Sequence, residues 1–430
     1  MIVYFQSDKA YNQKRPNTMT SGGAHPMDQS FIDRAYAGFE YERSRKGPPE
    51  DFPALPPIPG GRYTDPEFLD LERQFLWKKS WLYVCHRDEL PRKGSYILWD
   101  RTRSPILVIR GEDNRIRAFY NTCRHRGGPL VTEPRGKVSS KLTCIYHGWT
   151  YELHGKLRGV PDSRDFSDLD MSCLGLVSVR CERLGNWIFI NEDPQASPLL
   201  KALGPIAGQL QQFDPDSIRH VETYGFDVEC NVKLMLEAFF EVYHLKNIHQ
   251  DTANRFLEHR ATRIFLWPNG HSLMVTPNRE PEWVDPGTVG MLEFPHVSEL
   301  PVRTNVSYNV YPNLITPVAP TGMPFITFWP VTARTMHIDC HWFAPDWGEG
   351  ERHPLWDQRI SNFNRILQED IELIPKIQQS IESPGFQGTR LNYQERRIYH
   401  WHEELDRRIG IDQIPGRLRV EPRLSDMIER

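Results

Sequence analysis

The sequence contains Cys123-Arg124-His125 and, after eighteen intervening residues, Cys144-Ile145-Tyr146-His147. Zinc fingers put both Cys in one close pair and both His in the other. Here each pair holds one Cys and one His, as a [2Fe–2S] cluster needs when one iron takes two thiolates and the other takes two imidazoles. Each pair is followed by Gly, which lets the backbone approach the sulfur atoms closely. The pattern therefore favours such a cluster over zinc.

Residues 120–132 and 144–151 resemble the two cluster loops of Rieske non-haem iron oxygenase α subunits. Small electron-carrier ferredoxins share these loops, and a carrier of that kind would end near residue 195. The sequence continues to residue 430. The remaining residues therefore decide between an oxygenase and a non-catalytic electron carrier or redox sensor.

Composition excludes several classes of protein. The formal net charge is −4, and there is no long basic run of the kind that binds nucleic acid. No apolar stretch approaches the roughly 18 residues of a membrane span, and no charged start followed by an apolar core suggests a signal peptide. Seven Cys in 430 residues do not form a disulfide framework. We expect a cytoplasmic protein that binds neither nucleic acid nor membrane.

The chain divides into three predicted parts. Short alternating strands such as Ser95–Trp99 are typical of a small antiparallel β domain. Candidate strands at 219–231, 262–276, 303–317 and 324–343 precede a long amphipathic helix over about 354–382, which indicates an α+β fold. The resemblance implies that the second domain has the helix-grip (START/SRPBCC-like) fold. The predicted parts are an extended N-terminal arm with at most a short helix near 28–40 (1–54), the Rieske domain (55–195) and the catalytic domain (196–430).

A second metal site is indicated by His244 and His249, which follow Glu241 in the segment 231–249. This segment resembles the family signature N-W-K-x3-E-N-x2-[DE]-x-Y-H-x4-H, with Val232 and Ala238 as departures. The resemblance implies a facial triad for Fe(II), with His244 and His249 as two ligands. The third is expected to be Asp370, in a matching stretch of the long helix, with Glu369 and Glu372 as lesser candidates.

The resemblance also assigns Glu241 a role in catalysis. It implies that this carboxylate links the cluster His147 of a neighbouring subunit to His244, in a cyclic homotrimer (α3). Glu at this position is typical of family members that act on quaternary ammonium or N-alkyl compounds. Substrate-pocket candidates are Phe239, Phe240, Asn309, Leu314, Phe325 and Thr327. His400 and His402 mimic ligand spacing, but they lie in a polar, Arg-rich tail and are not predicted to bind metal.

No nicotinamide-binding G-x-G-x-x-G and no plant-type ferredoxin spacing occur. Separate ferredoxin and reductase components are therefore expected to pass electrons from NAD(P)H. Basic residues around the cluster loops could dock an acidic ferredoxin. We predict the terminal oxygenase of a Rieske system that uses O₂ to hydroxylate, or to N- or O-dealkylate, an aromatic or N-alkyl small molecule. Cis-dihydroxylation of an aromatic ring is the alternative.

Overall fold

The computed structural model describes residues 27–429. Residues 1–26 of the predicted arm lie outside the described residues. Within the described part, none of the helices combines the length and the apolar character that crossing a bilayer requires.

The first described segment is a helix, α1 (Gln29–Ser44). Asp28 caps it by accepting a hydrogen bond from the backbone N–H of Phe31 at 2.7 Å. Phe31, Ile32, Ala35 and Phe39 are buried together against strands of the second domain. The short helix predicted near 28–40 is present and continues to Ser44, because a helix gathers these four apolar side chains on one face.

An antiparallel β domain follows two helices, α2 (Gly61–Thr64) and α3 (Pro66–Phe75). Its strands are β1 (Leu82–His86), β2 (Ser95–Trp99), β3 (Ile106–Arg110), β4 (Ile116–Tyr120), β5 (Arg135–Lys137), β6 (Lys141–Thr143), β7 (Thr150–Glu152), β8 (Leu157–Gly159), β9 (Ser178–Leu184) and β10 (Trp187–Asn191). The larger sheet has the strand order β1-β10-β9-β4-β3-β2-β5, and the cluster loops flank a three-stranded sheet, β6-β7-β8.

The second domain is built on a seven-stranded antiparallel sheet, whose strands are β11 (Arg219–Val228), β12 (Arg263–Leu266), β13 (Ser272–Pro277), β14 (Thr304–Val310), β15 (Leu314–Val318), β16 (Met323–Pro330) and β17 (Met336–Ala344). Their order in the sheet is β11-β17-β16-β15-β14-β13-β12. Its helices are α4 (Leu199–Leu203), α5 (Pro205–Gln209), α6 (Val232–Ala238), α7 (Leu245–Ile248), α8 (Glu299–Arg303), α9 (Leu355–Ile381) and α10 (Arg396–Ile409).

Three of the predicted strands are hairpins. The segments 262–276, 303–317 and 324–343 each contain two strands, because each is interrupted by a turn. In the first, Asn269 and Gly270 adopt positive φ angles of 63° and 77° after Pro268. Segments of this length exceed the usual strand length. Their internal turn residues are the sequence feature that indicates two strands instead of one.

Both faces of the sheet are buried, and what covers each face determines where the metal-binding residues lie. Its inner face packs on α6 and α9, where Ile326 and Phe328 share a cluster with Leu367 and Ile374. Its outer face packs on the β domain and α1, where Phe325 meets Trp187 at a ring distance of 4.7 Å. The predicted α+β architecture, an antiparallel β domain followed by an antiparallel sheet and a long helix, is confirmed. The domain boundaries remain predictions.

Candidate functional site

The two cluster loops have the same backbone turn. The N–H of Gly127 donates to the carbonyl of Cys123, and the N–H of Gly148 donates to the carbonyl of Cys144, both at 3.0 Å. Both glycines have positive φ angles, 75° and 72°, which L side chains rarely adopt. The two turns bring the rings of His125 and His147 to a centroid distance of 4.5 Å.

The residues present fit a [2Fe–2S] cluster. A Cβ atom at Gly128 would stand 2.8 Å from the Sγ of Cys144, so only glycine leaves room beside this sulfur. The Nδ1 atom of His125 is buried and has no hydrogen-bond partner among the described residues, which suits a ligand atom. The ring of Trp149 stacks on His125 at 5.0 Å and fixes its plane. The hydroxyl of Tyr151 lies 3.2 Å from the Sγ of Cys123.

The second site begins where a helix is interrupted. Asn231 caps α6 by accepting from the N–H of Lys233, and α6 ends at Ala238. Glu241 and His244 lie beyond this helix, because the backbone turns away after residue 238. Since it turns, the Glu241 carboxylate can accept from the backbone N–H of Tyr243 and of His244, and it fixes the entry to α7.

Three candidate metal ligands converge from two elements. His244 and His249 flank α7, and Asp370 comes from the middle of α9. One ligand atom from each lies within 4.8 Å of the others. The Oδ1 of Asp370 is 3.3 Å from the Nε2 of His249 and 3.8 Å from the Nε2 of His244. Two imidazoles and one carboxylate are the donor set of a facial Fe(II) triad, so the residues present fit a mononuclear iron.

Each imidazole is oriented by a carboxylate on its other side. The Nδ1–H of His244 donates to Glu241, and the Nδ1–H of His249 donates to Glu369 at 2.6 Å. Thr252 also donates to Glu369, at 2.7 Å. Because both Nδ1 atoms carry the proton, both Nε2 atoms are free to bind a metal. The sequence did not single out Glu369 for this role.

The carboxylates change the protonation of the two imidazoles. Burial alone would lower the pKa of His244, but the negative charge of Glu241 and Asp370 outweighs it, and the pKa lies above its ordinary value. The pKa of His249 is raised in the same way against the effect of burial, by Asp370 and Glu369. Without a metal the site therefore tends to hold protons, which metal binding must release.

A buried network behind α6 was missed by the sequence reasoning. Glu237 accepts from the hydroxyl of Tyr63 at 3.0 Å and from the Nε2–H of His402 at 2.9 Å. Arg62 donates to the Nδ1 of His402 at 3.0 Å. Burial raises the pKa of Glu237 to about 8. The polar tail predicted around His400 and His402 is in fact the helix α10. The strongly amphipathic spacing of its residues is the sequence feature that could have indicated this helix.

The pocket candidates divide between the two faces of the sheet. Phe239, Phe240 and Asn309 lie on the inner side, with the iron ligands. Leu314, Phe325 and Thr327 are wrong as pocket residues, since side chains alternate along a strand and these three face the other way. Leu314 and Phe325 pack in the outer cluster with Tyr83, and Thr327 pairs with Leu314 across β15 and β16.

Comparisons with known proteins agree with this geometry. Residues 80–175 match the family model described as Rieske [2Fe–2S] domain, and residues 215–411 match that of the ring hydroxylating alpha subunit (catalytic domain). Together the two models cover well over half of the chain.

Three curated relatives are similar over long stretches. The glycine betaine monooxygenase oxygenase subunit of Chromohalobacter salexigens is 33% identical over 205 residues, 48% of this chain and 46% of that protein. The carnitine monooxygenase oxygenase subunit of Acinetobacter pittii is 26% identical over 358 residues, 79% of this chain and 90% of that protein. The 2-aminobenzenesulfonate 2,3-dioxygenase subunit alpha of an Alcaligenes species is 30% identical over 220 residues, 49% of this chain and 55% of that protein.

The first relatives are matched over only about half of their length. Among solved structures, a quaternary ammonium Rieske monooxygenase is 22% identical and covers 85% of this chain and 100% of its own, with a TM-score of 0.71. This likeness shows the fold.

Replacing Asp370 by Ala tests the iron site. The visible spectrum of the cluster should persist, while the iron content should fall from about three atoms per chain to about two, because the third ligand is gone. Glu372→Ala is the matched control, since this carboxylate is exposed on the same helix. Loss of iron in the control, or none in Asp370→Ala, would contradict the assignment.

Proposed function

This chain belongs to the α subunits of Rieske ring-hydroxylating oxygenases, and from that premise we propose that it is the terminal oxygenase of a multicomponent system that monooxygenates an N-alkyl or aromatic small molecule. The observation that carries the proposal is the convergence of His244, His249 and Asp370, with each imidazole held by its own carboxylate. An electron carrier needs the cluster but has no use for this second site.

The chemistry follows from the two metal sites. When bound, the cluster supplies single electrons and the Fe(II) ion activates O₂. Glu241 and Glu369 keep His244 and His249 in the Nδ1–H form, and the sheet and α9 exclude water from around Asp370, which is 6% exposed. Hydroxylation of a carbon next to nitrogen gives an adduct that loses an aldehyde, so N-dealkylation is one outcome of monooxygenation.

Similarity to glycine betaine and carnitine monooxygenase subunits supports monooxygenation of an N-alkyl compound. Cis-dihydroxylation of an aromatic ring is the second candidate, and the similarity to the 2-aminobenzenesulfonate dioxygenase subunit supports it. Product analysis separates the two, since dealkylation releases an aldehyde and dihydroxylation gives a diol.

We propose a second copy of the chain as the partner at the iron site. A surface groove of about 840 Å³ opens beside Tyr243, which is 49% exposed. We call it the cationic groove, because Arg43, Arg45, Lys246 and Arg260 line it. Within residues 27–429, Lys246 and Arg260 have no ion-pair partner, so their charges remain free to attract an acidic surface.

The acidic surface lies next to the cluster. The exposed loop 161–170 carries Asp162, Asp165, Asp168 and Asp170 against a single Arg164, and we call it the acidic loop. Its Phe166 ring is 5.9 Å from the ring of His125. Docking the acidic loop of one copy in the cationic groove of the next would bring His147 towards Glu241, whose side chain is 9% exposed.

A contact between two different surfaces of the same chain forms a ring when its rotation closes, and we propose such a ring of three copies, the homotrimer (α3). Separate ferredoxin and reductase proteins are the proposed electron donors, with NAD(P)H as the source. Arg124, Arg126, Lys137 and Lys141 are exposed around the cluster loops and support an acidic donor, whereas Arg135 already pairs with Glu89 at 2.7 Å. A cytoplasmic location remains a prediction.

Reconstitution with a surrogate ferredoxin and reductase tests the function. Wild-type protein should consume O₂ and release formaldehyde from N-methyl compounds. With both metal sites loaded, Glu241→Gln should lower turnover by about 10–100-fold, because the amide cannot accept hydrogen bonds from two imidazoles as a carboxylate does. Asp251→Asn, an exposed change nearby, is the control. Normal turnover in Glu241→Gln would contradict its role, and the absence of any O₂ uptake would contradict the function.

Charge reversal tests the docking of two copies. Lys246→Glu with Arg260→Glu should lower turnover and weaken the trimer while each chain keeps its iron, because like charges then face each other. Adding Asp165→Lys and Asp168→Lys should restore both properties. Sedimentation and O₂ uptake provide the measurements. Failure of the fourfold variant to recover, with all iron present, would show that these charges do not meet.

A further inference from the structure

Arg397 lies buried on the inner face of the sheet, with 0% of its surface exposed. It comes from α10, and its Nε–H donates to the hydroxyl of Ser272 at 2.9 Å. One Nη2–H donates to the carbonyl of Ser307 at 3.4 Å. The Nη1 atom is buried and has no hydrogen-bond partner among the described residues. Nη1 is therefore a strong donor without an acceptor.

The charge of Arg397 is also uncompensated. Two other buried cations pair with carboxylates, Arg62 with Asp406 at 2.6 Å and Lys233 with Glu72 at 2.7 Å, whereas the buried Arg396 donates to backbone carbonyls. No carboxylate within residues 27–429 forms an ion pair with Arg397. Burial lowers its pKa to about 9, and the neighbouring Arg396 adds to this effect. A buried charge without a partner is unfavourable, so this position suits an arginine that meets an anion brought by a ligand.

The location connects Arg397 with the iron site. Its guanidinium carbon lies 5.5 Å from the ring centre of Phe240, in the metal-binding motif. Burial raises the pKa of Glu395, two residues earlier, to about 7, and the nearby charge of Glu241 adds to this effect. Asn309 shares the Ser272 hydroxyl at 3.5 Å, and its Oδ1 is likewise buried without a partner in the described part of the chain.

We propose that Arg397 binds an anionic group of the substrate, a carboxylate, and so determines substrate specificity. The inference rests on the proposed function, because it names the class of substrate for the same site. The guanidinium lies against the ring of Phe240, which belongs to the metal-binding motif. A carboxylate at Nη1 gains a charge-assisted hydrogen bond, whereas an uncharged analogue leaves the cation unpaired.

Binding to the iron-loaded protein, without electron donors, tests this separately from catalysis. The probes are two pairs that differ in the anionic group: glycine betaine with choline, and benzoate with benzyl alcohol. Titration calorimetry should give at least one pair in which wild type binds the carboxylate about 30-fold or more tightly. Arg397→Met should abolish this preference, and Arg397→Lys should retain part of it. Arg396→Met, an adjacent buried arginine that donates to backbone carbonyls, is the matched control.

The outcomes separate the two proposals. An Arg397-dependent preference for the carboxylate without any turnover would support the binding site and contradict the oxygenase function. Two results would overturn the role of Arg397 but leave the oxygenase function standing. In the first, the wild type turns over these compounds but does not prefer the carboxylate to the uncharged analogue. In the second, it turns them over and Arg397→Met keeps the preference. If Arg397→Met fails to fold, the wild-type comparison and Arg397→Lys decide.

Discussion

Two hydrogen bonds between imidazole and carboxylate control the metal site: His244 donates to Glu241, and His249 donates to Glu369. A neutral imidazole has one N–H and one free nitrogen, so fixing the proton on Nδ1 commits Nε2 to the metal. Both carboxylates lie outside the proposed triad, to which Asp370 would supply the anionic ligand. This arrangement explains why three carboxylates, Glu241, Glu369 and Asp370, surround the two imidazoles although a triad needs only one.

The rest of the fold keeps those hydrogen bonds in place. Lys233 pairs with Glu72 and ties α6 to α3, and Glu237 ties the same helix to α10 through His402. Breaking a buried ion pair leaves an uncompensated charge at a cost of about 3–5 kcal/mol. The β domain covers the outer face of the sheet, so the inner face is left for α9 and the iron ligands. The two domains therefore share one structural frame.

Local sequence patterns predicted the metal-binding chemistry better than they predicted how the elements pack. The mixed Cys and His pairs and the spacing of His244 and His249 indicate their metals because ligand geometry is set within a few residues. Asp370 needed the resemblance, because nothing local distinguishes it from Glu372. Leu314, Phe325 and Thr327 were placed on the wrong face, since an apolar strand buried on both sides shows no alternation that tells inside from outside. The hydrogen bond from His249 to Glu369, a lesser ligand candidate in the sequence, and the burial of Arg397 depend on how α9 and α10 pack against the sheet.

Mixed assemblies test most directly whether the cluster of one protomer serves the iron site of the next. Cys144→Ser removes a cluster ligand and Asp370→Ala removes an iron ligand, so each variant alone should be inactive. Coexpressed and purified as mixed assemblies, they should regain O₂-dependent turnover, because in the proposed trimer an intact cluster then faces an intact iron site across a subunit boundary. Mixed assemblies that contain both variants, retain their remaining metals and still show no turnover would contradict the account.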